Sequence, residues 1–173
     1  MSDDDALAPE RADLIASLQR HRFFLRNAAR ELTDEQAGQR STVSELCVGG
    51  LIKHTAQTER GWVDFILDGP ASMPSGDDPE AYQRYADSFR MLPGDTLAGV
   101  LKTYDEVARR TDDLVRTLPD LDASQPLPPA PWFEPGARWS ARRVLLHVIA
   151  ETAQHAGHAD IIREAIDGAK SMG

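Results

Sequence analysis

The sequence predicts an all-α protein, a four-helix bundle with a long proline-rich crossover before the last helix. Three observations support this prediction. Apolar residues recur at helical spacing over long stretches, Pro and Gly separate those stretches, and no stretch shows the alternation typical of a strand. The chain has 173 residues, of which 41% are hydrophobic, so we expect one domain over residues 1–173 with its own core.

The first two helices follow from their apolar stripes. Helix one is expected over residues 9–32, where leucines recur at helical spacing and Pro9 suits a first turn. Helix two is expected over residues 42–67, before an Asp-Gly-Pro break. Its apolar face would carry Val43, Cys47, Leu51, Phe65 and Ile66.

The second half of the chain predicts two more long helices. A short helix is possible near residues 80–90, and Asp95 is a plausible N-cap for helix three over residues 96–118. Residues 119–136 contain six prolines, so we expect an extended connection there. Helix four then begins after Ser140 as its N-cap and ends at Asp167 and Gly168.

Composition excludes several classes of function. The net charge is -9 and the Lys and Arg residues are scattered among acids, so nucleic acid is not expected as a partner. The first residues, MSDDDALAPE, are acidic where a signal peptide is basic and then apolar, and no apolar run is long enough for a membrane span. The single cysteine, Cys47, is expected to be a small buried hydrophobic residue. A cytoplasmic protein is therefore expected.

Residues 147–160, HVIAETAQHAGHAD, carry polar groups on the apolar face of helix four. At about 100° per residue, four of them fall within one arc of the helical wheel. They are His147, Glu151, His155 and His158. Burying an ionised carboxylate without a partner costs several kcal/mol, so another group must compensate for this cluster.

A bound divalent metal ion would provide that compensation. Glu151 and His155 lie one helical turn apart, so both can reach one ion. In helix two, His54 of LIKHTAQTERGW lies on the inward face and offers a third ligand. The spacing equally allows His147 to pair with Glu151, so the pattern leaves two ligand pairs open. The alternative is a set of hydrogen-bonded core residues without a metal.

These motifs resemble the DinB-like superfamily of metal-binding four-helix bundles. The resemblance rests on LIKHTAQTERGW, the tyrosine-bearing third helix, the Trp139-Ser140 start of helix four and ETAQHAGHADIIRE, and it spans nearly the whole chain. It is greatest for the actinobacterial branch related to mycothiol-dependent enzymes. It implies the ligands His54, Glu151 and His155. The usual pattern has three histidines, whereas a His/Glu/His set is similar to that of the mycothiol-dependent maleylpyruvate isomerases. The added C-terminal domain of those isomerases is not expected here.

The resemblance implies a metal-dependent thiol S-transferase. Its divalent ion, expected to be Zn²⁺ with Ni²⁺, Fe²⁺ or Mn²⁺ as alternatives, would bind a low-molecular-weight thiol, mycothiol, as a thiolate that attacks an electrophile. His147 and His158 would orient the ligands or move protons. Trp62, Trp132 and Trp139 are candidates for the walls of the thiol pocket. A homodimer is also implied.

Two other functions fit the same ligands. The ion could activate water, which would make the protein a small hydrolase. The protein could instead be a non-catalytic stress-response protein with a structural metal. A closed site with four protein ligands, completed by His147 or His158, would favour that second alternative.

Overall fold

The computed structural model describes residues 8–73 and 78–171. Its helices, in chain order, are α1 (Pro9–Ala28), α2 (Asp34–Gly38), α3 (Val48–Asp68), a short 3-10 helix (Gly69–Ser72), α4 (Pro79–Ser88), α5 (Leu97–Thr117) and α6 (Ala141–Asp167). Two strands, β1 (Ser124–Pro126) and β2 (Arg138–Ser140), lie between α5 and α6. The predicted all-α four-helix bundle is confirmed, with α1, α3, α5 and α6 as its long helices.

The start of α3 corrects the sequence prediction for helix two. Residues 42–45 form bends, and Val43, which was predicted to lie on the core face, is fully exposed. Cys47 is buried as predicted, but it is also the N-cap, because its Sγ accepts a hydrogen bond from the backbone N–H of Gly50 at 3.4 Å. The helix therefore begins only where a side chain can satisfy its first N–H groups.

Two further predictions are corrected between α4 and α6. Thr96, and not Asp95, caps α5, since its hydroxyl accepts from the Gly99 N–H. Asp95 instead pairs with Lys53 at 2.7 Å. The crossover was predicted to contain no element, but β1 and β2 pair antiparallel there, with Gln125 opposite Trp139. Strands of three residues are too short to show a hydrophobic period.

The order of the helices around the bundle explains the long crossover. The packed neighbours are α1 with α6, α6 with α3, α3 with α5 and α5 with α1. Helices α5 and α6 therefore lie across a diagonal, and the chain must cross one end of the bundle to connect them. This order also places α3 and α6, which carry the predicted ligands, side by side.

The interior contains two apolar clusters and a few buried charges. One cluster surrounds Leu25, Leu51 and Tyr104, and the other surrounds Leu18 and Leu145. Hydrophobic burial of this kind provides most of the driving force for folding. No helix in the described part of the chain is both long and apolar enough to cross a bilayer.

Candidate metal centre

The neighbouring helices α3 and α6 bring three potential ligands together. His54 comes from α3, and Glu151 and His155 come from α6. Each offers a ligand atom that lies within 4.8 Å of the other two. Glu151 Oε2 lies 3.6 Å from His155 Nε2, and the rings of His54 and His155 meet edge to face at 5.0 Å. Residues about a hundred positions apart in the sequence thus converge in the folded protein.

Hydrogen bonding determines which nitrogen of His54 carries the proton. Its Nδ1 lies 2.9 Å from the hydroxyl of Ser88, and that hydroxyl donates its own proton to the carbonyl of Tyr85 at 2.6 Å. A hydroxyl has only one proton, so the Ser88 oxygen must accept from His54 Nδ1–H. The lone pair of the neutral ring is therefore on Nε2, which faces the hydroxyl of Thr58 at 3.3 Å and where a metal ion can be bound in place of that contact.

The end of α4 holds the His54 ring in position. Phe89 stacks on the imidazole with ring centroids 3.8 Å apart, and Tyr85 meets it edge-on at 5.5 Å. This packing requires the chain after α4 to pass very close to α3. At Gly50, a Cβ atom would lie 1.9 Å from the carbonyl oxygen of Phe89, so only glycine fits there.

Burial keeps the site histidines in the form that binds metal. Burial, together with the charge of His155, lowers the pKa of His54 from 6.5 to about 4. Burial likewise lowers the pKa of His155 and of His147, against the opposing effect of Glu151. All three imidazoles are neutral at neutral pH, and a neutral ring is the one that can donate its lone pair to an ion.

Glu151 lies between two histidines of its own helix. Its Oε1 is 3.9 Å from His147 Nε2, while its Oε2 faces His155. His147 is not part of the close group of three, although its spacing allowed that assignment. His158 also remains outside that group, with its ring 5.6 Å from that of His155 and its Nδ1 buried without a hydrogen-bond partner.

The chemistry of the three residues fits a divalent metal ion. Two neutral imidazoles and a carboxylate are ligands that Zn²⁺ accepts. Ligands about 2.1 Å from a tetrahedral ion lie about 3.4 Å apart, so the present separations require only small movements of the side chains. His155 Nδ1 is buried and has no hydrogen-bond partner, a cost that an ion or a bound ligand could relieve. The side chain of Glu151 is 29% exposed, so the cluster reaches the surface.

Comparison with known families agrees with this arrangement. A model of the family described as mycothiol-S-transferase matches residues 13–168, a range that includes all three residues of the cluster. The chain belongs to the mycothiol-S-transferase family. The resemblance to DinB-like proteins is thereby confirmed. A search of curated proteins gave no match.

Two solved structures share the fold. A conserved protein from Enterococcus faecalis aligns with a TM-score of 0.69 and 13% identity, over 91% of this chain and 97% of its own. YfiT from Bacillus subtilis aligns with a TM-score of 0.65 and 18% identity, over 94% of this chain and 91% of its own, and is described as a probable metal-dependent hydrolase with an unusual four-helix bundle topology. At these identities the likeness establishes the fold.

An aromatic cluster lies beside the three candidate metal ligands of this family member. It consists of Trp62, Phe133, Trp139 and His147. The two tryptophan rings stack at 4.9 Å, and both meet the His147 ring edge-on, at 5.0 and 5.2 Å. Phe133 meets Trp139 edge-on at 5.7 Å. Trp132, the third predicted pocket residue, is 72% exposed, and its ring lies 6.1 Å from that of Phe133.

Several residues of the site were not found from the sequence. Ser88, Tyr85 and Phe89 were assigned no role, although they fix the tautomer and position of His54. Their contacts depend on a chain segment more than thirty residues away from His54, and helical periodicity contains no information about such contacts. The only local signal was Gly50, a glycine inside a helix, which often marks close packing.

Proposed function

We propose that this protein is a metal-dependent thiol S-transferase that uses mycothiol. The observation that carries the proposal is a cluster with three potential ligands, His54, Glu151 and His155, that reaches the surface at Glu151. Catalytic zinc sites have three protein ligands and an open position, whereas structural zinc sites have four. Membership in the mycothiol-S-transferase family supports a thiol as the molecule that uses the open position.

The three residues would hold the ion, for which we propose Zn²⁺. When bound, a divalent ion supplies positive charge that lowers the pKa of a nearby thiol, so that the thiolate forms at neutral pH. Ser88 and Phe89 keep His54 in the required tautomer and orientation. The protein then needs no nucleophilic residue of its own.

The proposed reaction joins the thiol sulfur to an electrophilic carbon. The sulfur donates an electron pair to form the new C–S bond, and the leaving group departs with the pair of the broken bond. The thiol proton must be accepted by a base. His147 Nε2 is suited to this, because its ring is neutral at neutral pH and lies 3.9 Å from Glu151. We propose a similar proton-handling role for His158, beside His155.

The aromatic cluster and the crossover are proposed to form the pocket for the thiol. Trp62 and Trp139 reach the metal-binding residues through His147. Trp132 lies further out and would contact only the distal part of a ligand. Pockets for small molecules are mostly lined by apolar and aromatic groups with a few polar atoms, which matches this composition.

The test is whether turnover needs both the thiol and the metal. Zinc-loaded protein is expected to accelerate the conjugation of mycothiol with chlorodinitrobenzene, which releases chloride, and to lose this activity without metal or without thiol. In cobalt-substituted protein, mycothiol should produce a sulfur-to-cobalt charge-transfer band that its hydroxyl analogue does not produce. An unchanged cobalt spectrum at saturating mycothiol, together with no thiol-dependent conjugation, would refute the proposal.

A hydrolase is the second candidate, because the structural neighbour YfiT is described as a probable metal-dependent hydrolase. The same three ligands could support activation of water. A screen of ester and amide substrates without thiol separates the two functions. Metal-dependent hydrolysis in that screen, combined with the absence of thiol-dependent conjugation, would favour the hydrolase.

A further inference from the structure

Arg143 occupies an electrostatically unfavourable position. It lies in the first turn of α6, a helix of 27 residues whose first turn contains no acidic residue. The N-terminal end of a helix carries partial positive charge, so a cation there is destabilising unless something compensates it. A residue that is unfavourable for the stability of its own helix is a candidate for a role in function.

The charge of the neighbouring Arg142, in the same helical turn, is compensated by ion pairs. Arg142 is paired with Glu10 and Asp122, so its charge is neutralised within the protein. Arg143 has no such partner in the described residues, although the whole chain has 28 acidic residues against 19 basic ones. Its guanidinium instead lies over the ring of Trp139, 4.4 Å from the centroid.

Within the described residues the guanidinium of Arg143 makes no hydrogen bond or ion pair, so its donors are available. A guanidinium that stacks on an aromatic ring uses its face, while its N–H groups point outward in its own plane. Trp62 covers Trp139 as well, with the two rings inclined by only 18°. Arg143 is thus held by a rigid aromatic support, with its fork of donors available to a planar anion such as a carboxylate.

The same support connects Arg143 to the candidate metal centre. Trp139 contacts the ring of His147, and His147 lies 3.9 Å from Glu151. A molecule that reacts beside Glu151 could therefore reach Arg143 with another of its groups.

We propose that Arg143 binds a carboxylate of the electrophile and makes the protein selective for anionic electrophiles. This inference rests on the proposed function. Mycothiol carries no carboxylate, so the anionic group must belong to the second substrate. In the reaction, the thiol sulfur forms a C–S bond, the leaving group departs with its electron pair, the thiol proton passes to a base, and the carboxylate bound by Arg143 is unchanged.

A matched pair of electrophiles tests the proposal. Chlorodinitrobenzoate and its neutral amide, chlorodinitrobenzamide, differ in one charge and both release chloride when a thiolate attacks. We expect zinc-loaded protein with mycothiol to show a higher kcat/KM for the acid, and Arg143→Gln to reduce this preference by about tenfold or more, as expected for loss of a charged hydrogen bond. Arg109→Gln, which changes another exposed arginine without an ion pair in the described residues, should keep the parent preference.

The outcomes separate this inference from the proposed function. If both electrophiles are conjugated but the parent shows no preference, or Arg143→Gln keeps it, the inference is wrong and the transferase remains. If neither electrophile is conjugated, the transferase proposal fails. Calorimetry then measures whether unreactive dinitrobenzoate binds to the parent protein, to Arg143→Gln and to Arg109→Gln, which tests the anion site separately. Binding that is lost only in Arg143→Gln supports the anion site. Binding that is absent, or equal in all three proteins, overturns it.

Discussion

At His54, a single hydrogen bond selects the nitrogen that can bind an ion. The helical pattern places His54 on the inward face of α3, but it does not indicate a tautomer. The hydroxyl of Ser88 accepts from Nδ1 because its own proton is donated to Tyr85. Groups that orient a ligand in this way are often worth tenfold to a hundredfold in metal affinity. The site therefore depends on residues that are not themselves ligands.

Metal content is the first prediction at the residue scale. His54→Ala and His155→Ala are expected to lose most of the bound ion, because two remaining ligands hold a divalent metal weakly. His21→Ala should keep the metal content of the parent, since His21 lies outside the cluster. Elemental analysis of the purified proteins measures this. Equal metal content in all three variants would exclude His54 and His155 as ligands.

The stability of the metal-free protein should depend on the charge of His54. Its pKa is lowered from 6.5 to about 4 in the folded protein, so between these values the unfolded chain binds a proton that the folded chain does not. Stability is therefore lost as the pH falls through this window, by about 2 kcal/mol between pH 7 and pH 5. Urea unfolding at both pH values measures the loss.

His54→Asn is the control for this pH dependence. Asparagine can still donate to Ser88 but does not titrate. The variant should lose less stability between pH 7 and pH 5 than the parent. The loss that remains in the variant is expected from His147 and His155, whose pKa values are also lowered. The same pH dependence in the parent and in His54→Asn would contradict the prediction.

At the scale of elements, the contact between α3 and the segment after α4 depends on Gly50. An alanine there would gain about 1 kcal/mol in helix propensity, but its Cβ would meet the backbone of Phe89 and Arg90. The atoms that the new Cβ would meet belong to the backbone, which cannot change rotamer as a flexible side chain can. Gly50→Ala should therefore move Ser88 and Phe89 away from His54. We expect lower stability and weaker metal binding, measured by thermal unfolding and by competition with a chelator.

Gly61 provides a matched control in the same helix. A Cβ at Gly61 would meet no atom within 4 Å, so Gly61→Ala should be neutral or stabilising by up to about 1 kcal/mol. Metal binding should be unchanged. If Gly50→Ala behaved like Gly61→Ala, the close approach would not be what positions His54.

At the scale of the whole molecule, a buried ionic group joins three helices. Arg22 of α1 pairs with Glu59 of α3 at 2.5 Å and with Asp112 of α5 at 2.7 Å. Arg22 and Glu59 are each 1% exposed, and Gln19 also donates to Asp112. Such a group adds little net stability compared with apolar packing, but removing one member leaves buried charges without a partner.

Arg22→Met should therefore destabilise the protein strongly. The substitution keeps most of the side-chain volume but leaves Glu59 and Asp112 as two buried carboxylates without their cation. We expect a loss of about 3–5 kcal/mol in the free energy of unfolding, measured in urea. Arg109→Met, at an exposed position, should change it by less than about 0.5 kcal/mol. A loss below about 1 kcal/mol in Arg22→Met would show that the carboxylates find other partners.

The sequence predicted the bundle and the three clustered residues for a clear reason. Helical periodicity shows which side of a helix is buried, and it placed His54 and the four polar residues of helix four on inward faces. The choice of Glu151 and His155 among those four came from the resemblance to DinB-like proteins. The sequence pattern predicted the ends of the helices less accurately. Cys47 and Thr96 act as caps where other starts were predicted, because the position of a cap depends on side-chain hydrogen bonds.

The sequence by itself determined the all-α class, the proline-rich crossover and the set of inward polar residues, since these depend on spacing along one helix or on local backbone preference. The tertiary structure alone decided which of these residues meet. It grouped His155 with His54 and Glu151 and left His147 against the tryptophans. The physical reason is that contacts between helices depend on how the helices are arranged around the core, and residues far apart in the chain carry no periodic signal of their contact.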